Sequence, residues 1–119
     1  MSDDSAAPLR EPPVRGVEPV GDTVVVNLVG ELDLYNAEEV RAGLLDALAL
    51  EPRRIVVDMA DVAFVDSTAL GVLIEARSRL GRDGLLLAAP QIETRRALQV
   101  SGLDRHLPVH DSLEAALAS

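Results

Sequence analysis

Val14, Val17 and Val20 precede the pair Gly21-Asp22, and Val24, Val26 and Leu28 follow it. Apolar stretches on either side of a turn pair predict a two-stranded hairpin. From Thr23 to Val29 the second stretch is apolar on both faces except at Asn27, the pattern of a central strand covered on both sides. From Ala37 to Leu50 the period changes. Val40, Leu44, Ala47 and Leu48 take helical spacing, with Glu38, Glu39, Arg41 and Asp46 opposite, and Pro52 stops the helix. Asn36, with Glu39 three residues on, has capping-box spacing.

Ile55-Val56-Val57 reads as a short buried parallel strand with Asp58 at its exit. A second helix is predicted from Ser67 to Leu80, aligning Leu70, Leu73, Ile74 and Arg77, with Gly81 near its end. Leu85 to Ala88 is another buried strand. Ile92, Ala97 and Leu98 outline a third helix ending at Ser101-Gly102. A brief strand, Leu107 to His110, leads to a final helix in which Asp111 and Glu114 have capping-box spacing. Phe64 reads as core. Strands alternating with helices predict an α/β fold: one mostly parallel sheet of four to five strands, an N-terminal hairpin strand and about four helices, joined by right-handed crossovers.

The first thirteen residues break this periodicity with Pro8, Pro12 and Pro13 among Ser, Asp, Ala and Glu, which predicts a disordered tail over 1–13 and a folded domain over 14–119. At 119 residues, 48% hydrophobic, the chain supports one core without metal or disulfide. It contains no Cys, which excludes thiol redox chemistry, cysteine nucleophiles and cysteine-ligated zinc. The formal charge of −9 argues against nucleic-acid or basic-patch membrane binding. No apolar run approaches a membrane span, so a cytoplasmic chain without membrane insertion is expected. The acidity is concentrated, with a net −8 between residues 17 and 66. Such a surface either keeps a small domain soluble or attracts a basic partner.

Candidate catalytic groups are poorly supported. Ser67 lies in Asp66-Ser67-Thr68-Ala69 rather than between the glycines of a nucleophile elbow. His106 and His110 read as a loop and a strand-edge histidine. The carboxylates form no calcium-loop spacing, and Gly81 and Gly84 are not followed by the Lys-Ser or Lys-Thr of a phosphate loop. No enzyme activity, cofactor or metal is expected. What remains is Ser67 at a helix start. One reading makes Asp66 or Ser67 an ordinary N-cap. The other makes Ser67 a phosphate acceptor, where free amides and the positive helix end accommodate the dianion while a partner packed there is repelled. Thr68 competes for the same modification.

Gly30-Glu31-Leu32-Asp33 with Asn36-Ala37-Glu38, then Asp58 to Val65, then Asp66-Ser67-Thr68-Ala69-Leu70-Gly71, and finally Ser101-Gly102-Leu103 resemble, in order and interval, the recurring segments of STAS domains of the anti-sigma factor antagonist type. The resemblance spans about Val14 to Leu117. It implies a partner-switching protein: the unmodified form captures a serine-kinase anti-sigma factor and frees a sigma factor, phosphorylation at Ser67 switches capture off, and a PP2C-type phosphatase reverses it. It also implies that Asp33 lies near that serine on the partner surface. Leu34, Tyr35, Asn36, Asp66, Thr68, Leu70 and Gly71 complete the expected partner-binding set, Tyr35 because aromatics anchor interfaces. Two positions depart from the family pattern: Ala69 replaces a Gly and Asn36 a Thr. An alternative within the same resemblance is a STAS subunit of a lipid-transport or signalling scaffold complex, with Ser67 only a cap.

Overall fold

Gly21, at a φ of 65°, closes the tight turn between β1 (Val14–Val20) and β2 (Thr23–Leu32), which pair antiparallel as the hairpin pattern predicts. The computed structural model describes residues 10–119. After β2 come α1 (Ala37–Ala49), β3 (Arg54–Val65), α2 (Ser67–Leu80), β4 (Leu85–Ala88) and α3 (Ile92–Ser101). A short 3-10 turn (Leu103–Arg105), β5 (Val109–His110) and α4 (Leu113–Ala118) complete the chain. The five strands lie in the order β1-β2-β3-β4-β5, and every pair beyond the hairpin is parallel.

The core divides between the two sheet faces. One face carries Val24, Val26, Leu28 and Leu32 of β2 with Ile55, Val57, Met59, Val62 and Val65 of β3, packed with Val40 and Leu44 of α1 and Leu73 of α2. Leu98 and Leu107 extend the same cluster toward α3 and the chain preceding β5. The other face is thinner: Val25, Val56, Leu86 and Ala88 pack against Ala116 of α4. Val25 and its neighbours Val24 and Val26 thus enter opposite clusters, which is why this part of β2 is apolar on both faces. Burying a side chain such as Leu28, wholly inaccessible here, contributes about 1.5–3 kcal/mol.

β3 is longer than the Ile55–Val57 run suggests. It reaches twelve residues against ten in β2, and the pairing slips twice, between Asn27 and Val29 and between Gly30 and Glu31. Its core-facing residues are spaced by two up to Met59, then by three to Val62 and Val65. Each slip places an extra residue in β3, which is what hid this half of the strand from a period-two reading. Phe64, expected in the core, is 51% exposed, because the second slip turns it away while Val62 and Val65 take the inward positions.

Two caps differ from the spacing argument. Asn36 precedes α1 but its side chain makes no cap bond to the helix, and α4 is capped by Ser112, whose hydroxyl accepts from Ala115 N, rather than by Asp111. Gly102 does close α3 in the left-handed conformation. Of the expected tail, residues 1–9 lie outside the described residues. Pro13 is buried, and its carbonyl accepts a hydrogen bond from Val29 N at 2.9 Å.

Candidate functional site

The carboxyl ends of β2 and β3 lie side by side, with Leu32 paired to Val65, so the loops entering α1 and α2 emerge together. This end of a parallel sheet is where α/β folds assemble their sites. Asp66 joins the two loops. Its Oδ1 accepts from Ala69 N at 3.0 Å, capping α2, and its Oδ2 accepts from Leu34 N at 3.1 Å. Its own backbone N–H donates to Leu32 O at 3.0 Å. Capping by Asp66 leaves Ser67 as the first helical residue, with an exposed side chain not consumed as the cap.

The β2–α1 loop is organised from within. Asn36 Oδ1 accepts from Asp33 N at 2.9 Å and Asn36 Nδ2 donates to Glu31 O at 2.8 Å, so this buried side chain braces the loop instead of capping the helix. Asp33 Oδ1 accepts from Tyr35 N at 3.0 Å. These bonds hold the backbone of Leu34 and Tyr35 outward, leaving their side chains 60% and 82% exposed.

Arg10 lies across the same loop, donating to Glu31 O at 2.8 Å and to Asp33 Oδ2 at 3.2 Å. Burial of the Asp33 carboxyl pushes its pKa up, but hydrogen bonds from Arg10 and the Tyr35 amide, with the Arg10 charge, outweigh that, and the net shift is below the ordinary carboxylate value. Asp33 is therefore a held anion.

The structure brings Asp33, Leu34, Tyr35, Asn36, Asp66, Ser67 and Thr68 to this one end of the sheet, with the side chains of Leu34, Tyr35, Ser67 and Thr68 exposed. Gly71 is exposed one turn further along α2. Leu70 instead points into the core, 8% exposed, and Asn36 is 7% exposed, so both support this surface from beneath. Ala69 is 1% exposed, and its methyl packs in the core while its amide serves the Asp66 cap. Sequence reasoning missed Arg10, which lay in the expected tail. Arg10 gave no local signal, since its partner is 23 residues away.

The carboxylates are spread along several elements, and among the described residues no group of three or more His, Asp or Glu comes together to hold a metal. No helix among them is long and apolar enough to cross a membrane.

A family model described as STAS domain matches residues 12–116. The chain belongs to the STAS domain family. It is 29% identical over 97 residues to the anti-sigma F factor antagonist of Paenibacillus polymyxa, covering 79% of this chain and 83% of that one. A crystal structure of an anti-sigma factor antagonist from Mycobacterium paratuberculosis superposes on this STAS domain with a TM-score of 0.79 at 30% identity, covering 86% and 88% of the two chains. The anti-sigma factor antagonist SpoIIAA, in its unphosphorylated form, gives a TM-score of 0.71 at 29% identity over 86% of this chain and 91% of that one. SpoIIAA of Bacillus is also known in a phosphorylated form, with a TM-score of 0.64 at 28% identity over 87% and 96%. The α/β architecture of the described residues, with its antiparallel hairpin, parallel strands and four helices, is the STAS fold.

Proposed function

We propose that this STAS domain is an anti-sigma factor antagonist that captures a serine-kinase anti-sigma factor through the joined β2–α1 and β3–α2 loops, and that phosphorylation of Ser67 by that partner ends the capture. The observation that carries the reading is the division of labour at the start of α2. Asp66 supplies the cap, so the exposed Ser67 is left over for chemistry rather than spent on the helix. The relatives named as anti-sigma factor antagonists, and the phosphorylated form of SpoIIAA, support it.

Phosphorylation exchanges a neutral hydroxyl for about −1.5 to −2 charges beside the Asp66 carboxylate. The helix tolerates this, because its first turn carries no acidic side chain and its leading amides favour an anion. A partner seated over Leu34, Tyr35 and Ser67 does not, since it meets a solvated dianion where it had met a small hydroxyl. Binding is switched without unfolding. A PP2C-type phosphatase resets the exposed phosphoserine. No step of this cycle requires the antagonist itself to be an enzyme.

The test is to incubate the purified chain with its kinase anti-sigma factor and ATP, following added mass and mapping the modified peptide, with Ser67→Ala as control. Phosphate confined to Ser67, with release of the complex, is the expected result. A stable complex that never acquires phosphate would remove the switch but keep the capture. Absence of any complex would move a STAS subunit of a transport or scaffold complex to first place.

A further inference from the structure

β3 outruns its neighbour β4. The last pair between them joins Asp58 to Ala88, and β3 continues to Val65. Along this overhang α3 takes the place of a strand. Gln91 Nε2 donates to Ala60 O at 2.9 Å, satisfying a backbone acceptor of β3 beyond its last pair with β4. Beyond it, Ala63, Phe64, Val65, Glu93, Thr94 and Ala97 line an open cleft of about 240 Å³. Two features of this cleft are costly for a closed, self-sufficient domain. Thr94 is 2% exposed, yet its hydroxyl oxygen has no hydrogen-bond partner, and a buried polar group left unpaired is destabilising. Phe64 is a large apolar side chain that the second register slip leaves standing 51% in solvent. An orphaned hydroxyl buried behind a largely apolar cleft, beside an exposed aromatic ring, has the composition of an unfilled binding pocket.

The cleft adjoins the proposed capture surface at the end of β3. Val65, which lines it, is followed directly by the Asp66 cap and by Ser67, and Phe64 is paired in register with Glu31 beside Asp33. A partner seated on Ser67 and extending past the end of β3 would reach the cleft. Its charge environment is acidic on two sides. Glu31 is exposed next to Phe64, and Glu93 stands in the cleft, held only by an exposed contact to Arg96 at 3.5 Å. Such exposed pairs contribute little and yield readily to a new cation.

We propose that this cleft is a second anchor point for the same partner that Ser67 regulates. It takes one apolar side chain of leucine or phenylalanine size against Phe64 and Ala97, a turn of the Thr94 side chain on binding brings its hydroxyl, buried in the free domain, to a hydrogen-bonding group of the partner, and a basic residue sits at the rim facing Glu93 and Glu31. The inference rests on the capture reading above and adds to it a site outside the phosphorylated turn. It assigns Phe64 and Thr94 to binding rather than to folding.

The experiment compares affinity for the anti-sigma partner in the wild-type chain and in the variants Ala97→Arg, Phe64→Ser and Thr94→Val, with thermal melting to confirm that each is folded and Ser67→Asp as a separate control. Ala97→Arg fills the cleft from an exposed helix without touching Ser67. It is expected to weaken capture about tenfold or more, and Phe64→Ser by a similar factor, the scale of losing an interface anchor. Thr94→Val keeps the side-chain shape and removes the orphaned hydroxyl. It should leave the free domain at least as heat-stable while weakening capture by roughly fivefold, the loss of one hydrogen bond. Wild-type affinity in both Ala97→Arg and Phe64→Ser, with capture still lost in Ser67→Asp, would overturn the cleft and spare the switch. Wild-type affinity in Thr94→Val alone would remove the hydrogen bond from the proposal. A wild-type chain that captures no such partner would remove the switch and the cleft together.

Discussion

The carboxylate of Asp66 accepts from the backbone of Leu34 at 3.1 Å, across a sequence distance of 32 residues. One side chain thereby sets both the start of α2 and the height of the loop that precedes α1. The serine that is modified and the loop that is recognised are positioned by the same group.

Replacing Asp66 with Ala should therefore cost more than an isolated cap. The cap alone contributes about 1 kcal/mol, and loss of the Leu34 bond adds roughly another 1 kcal/mol. Asp66→Asn, which keeps an acceptor for one of the two bonds, should lose about half as much. Urea unfolding midpoints at constant slope check both, and equal midpoints for wild type and Asp66→Ala would contradict the bridging role.

Asp33 titrates below the ordinary carboxylate range because Arg10 and the Tyr35 amide hold its ionised form. A depressed folded-state pKa means that its contribution to stability is complete above the unfolded carboxylate value and is lost as pH falls through the lower folded value. In Arg10→Ala the Asp33 carboxyl should titrate closer to the ordinary value, and the acid limb of the stability curve should move to higher pH. Carbon-detected NMR titration of Asp33 reads this directly. An unchanged midpoint would mean that Arg10 does not engage the carboxylate in solution.

Tyr35 is 82% exposed, and its removal should leave folding almost untouched, within about 0.5 kcal/mol. Capture of the anti-sigma partner by Tyr35→Ala should nevertheless fall roughly tenfold, as expected when an aromatic interface anchor is truncated. A binding titration beside a thermal melt separates the two effects. A variant that binds normally would take Tyr35 out of the interface.

Gly30 has a φ of 84°, and a Cβ added there would meet nothing within 4 Å. The cost of Gly30→Ala is thus conformational rather than steric crowding, about 1–2 kcal/mol for an L-residue forced to positive φ. Chemical denaturation should show that loss with no change in the slope. A neutral substitution would show that the backbone can relax at the second register slip.

Most of the architecture was legible in the sequence because each element carries its own period. The hairpin was marked by Gly21-Asp22, α1 by Val40, Leu44 and Ala47, and the end of α3 by Gly102. The second half of β3 was not, since register slips replace a period of two with a period of three, and Phe64 was misplaced for the same reason. Caps were read less well than helices. Asn36 and Asp111 had the right spacing, but backbone groups of the preceding loop, Asp33 N and Glu31 O, claimed the first and Ser112 displaced the second. At the site, Asp66 and Ser67 stood out as residue types at a helix start and Asp33 through the family resemblance alone, whereas the Arg10 contact depends on a long-range approach that no local pattern encodes.

The two slips in β3 amount to spare contour. Losing one residue at Ala60 or Ala63 would pull a slip straight and leave Val62 and Val65 facing inward, whereas the same loss within Ile55–Val57 would turn every later side chain to the opposite face. Single-residue length changes should thus be survivable in one half of the strand and ruinous in the other. A straightened strand also loses the added twist that a bulge imparts. A domain shortened there would keep its core and lose its aim, with the hydroxyl of Ser67 swung away from the loop it is meant to accompany.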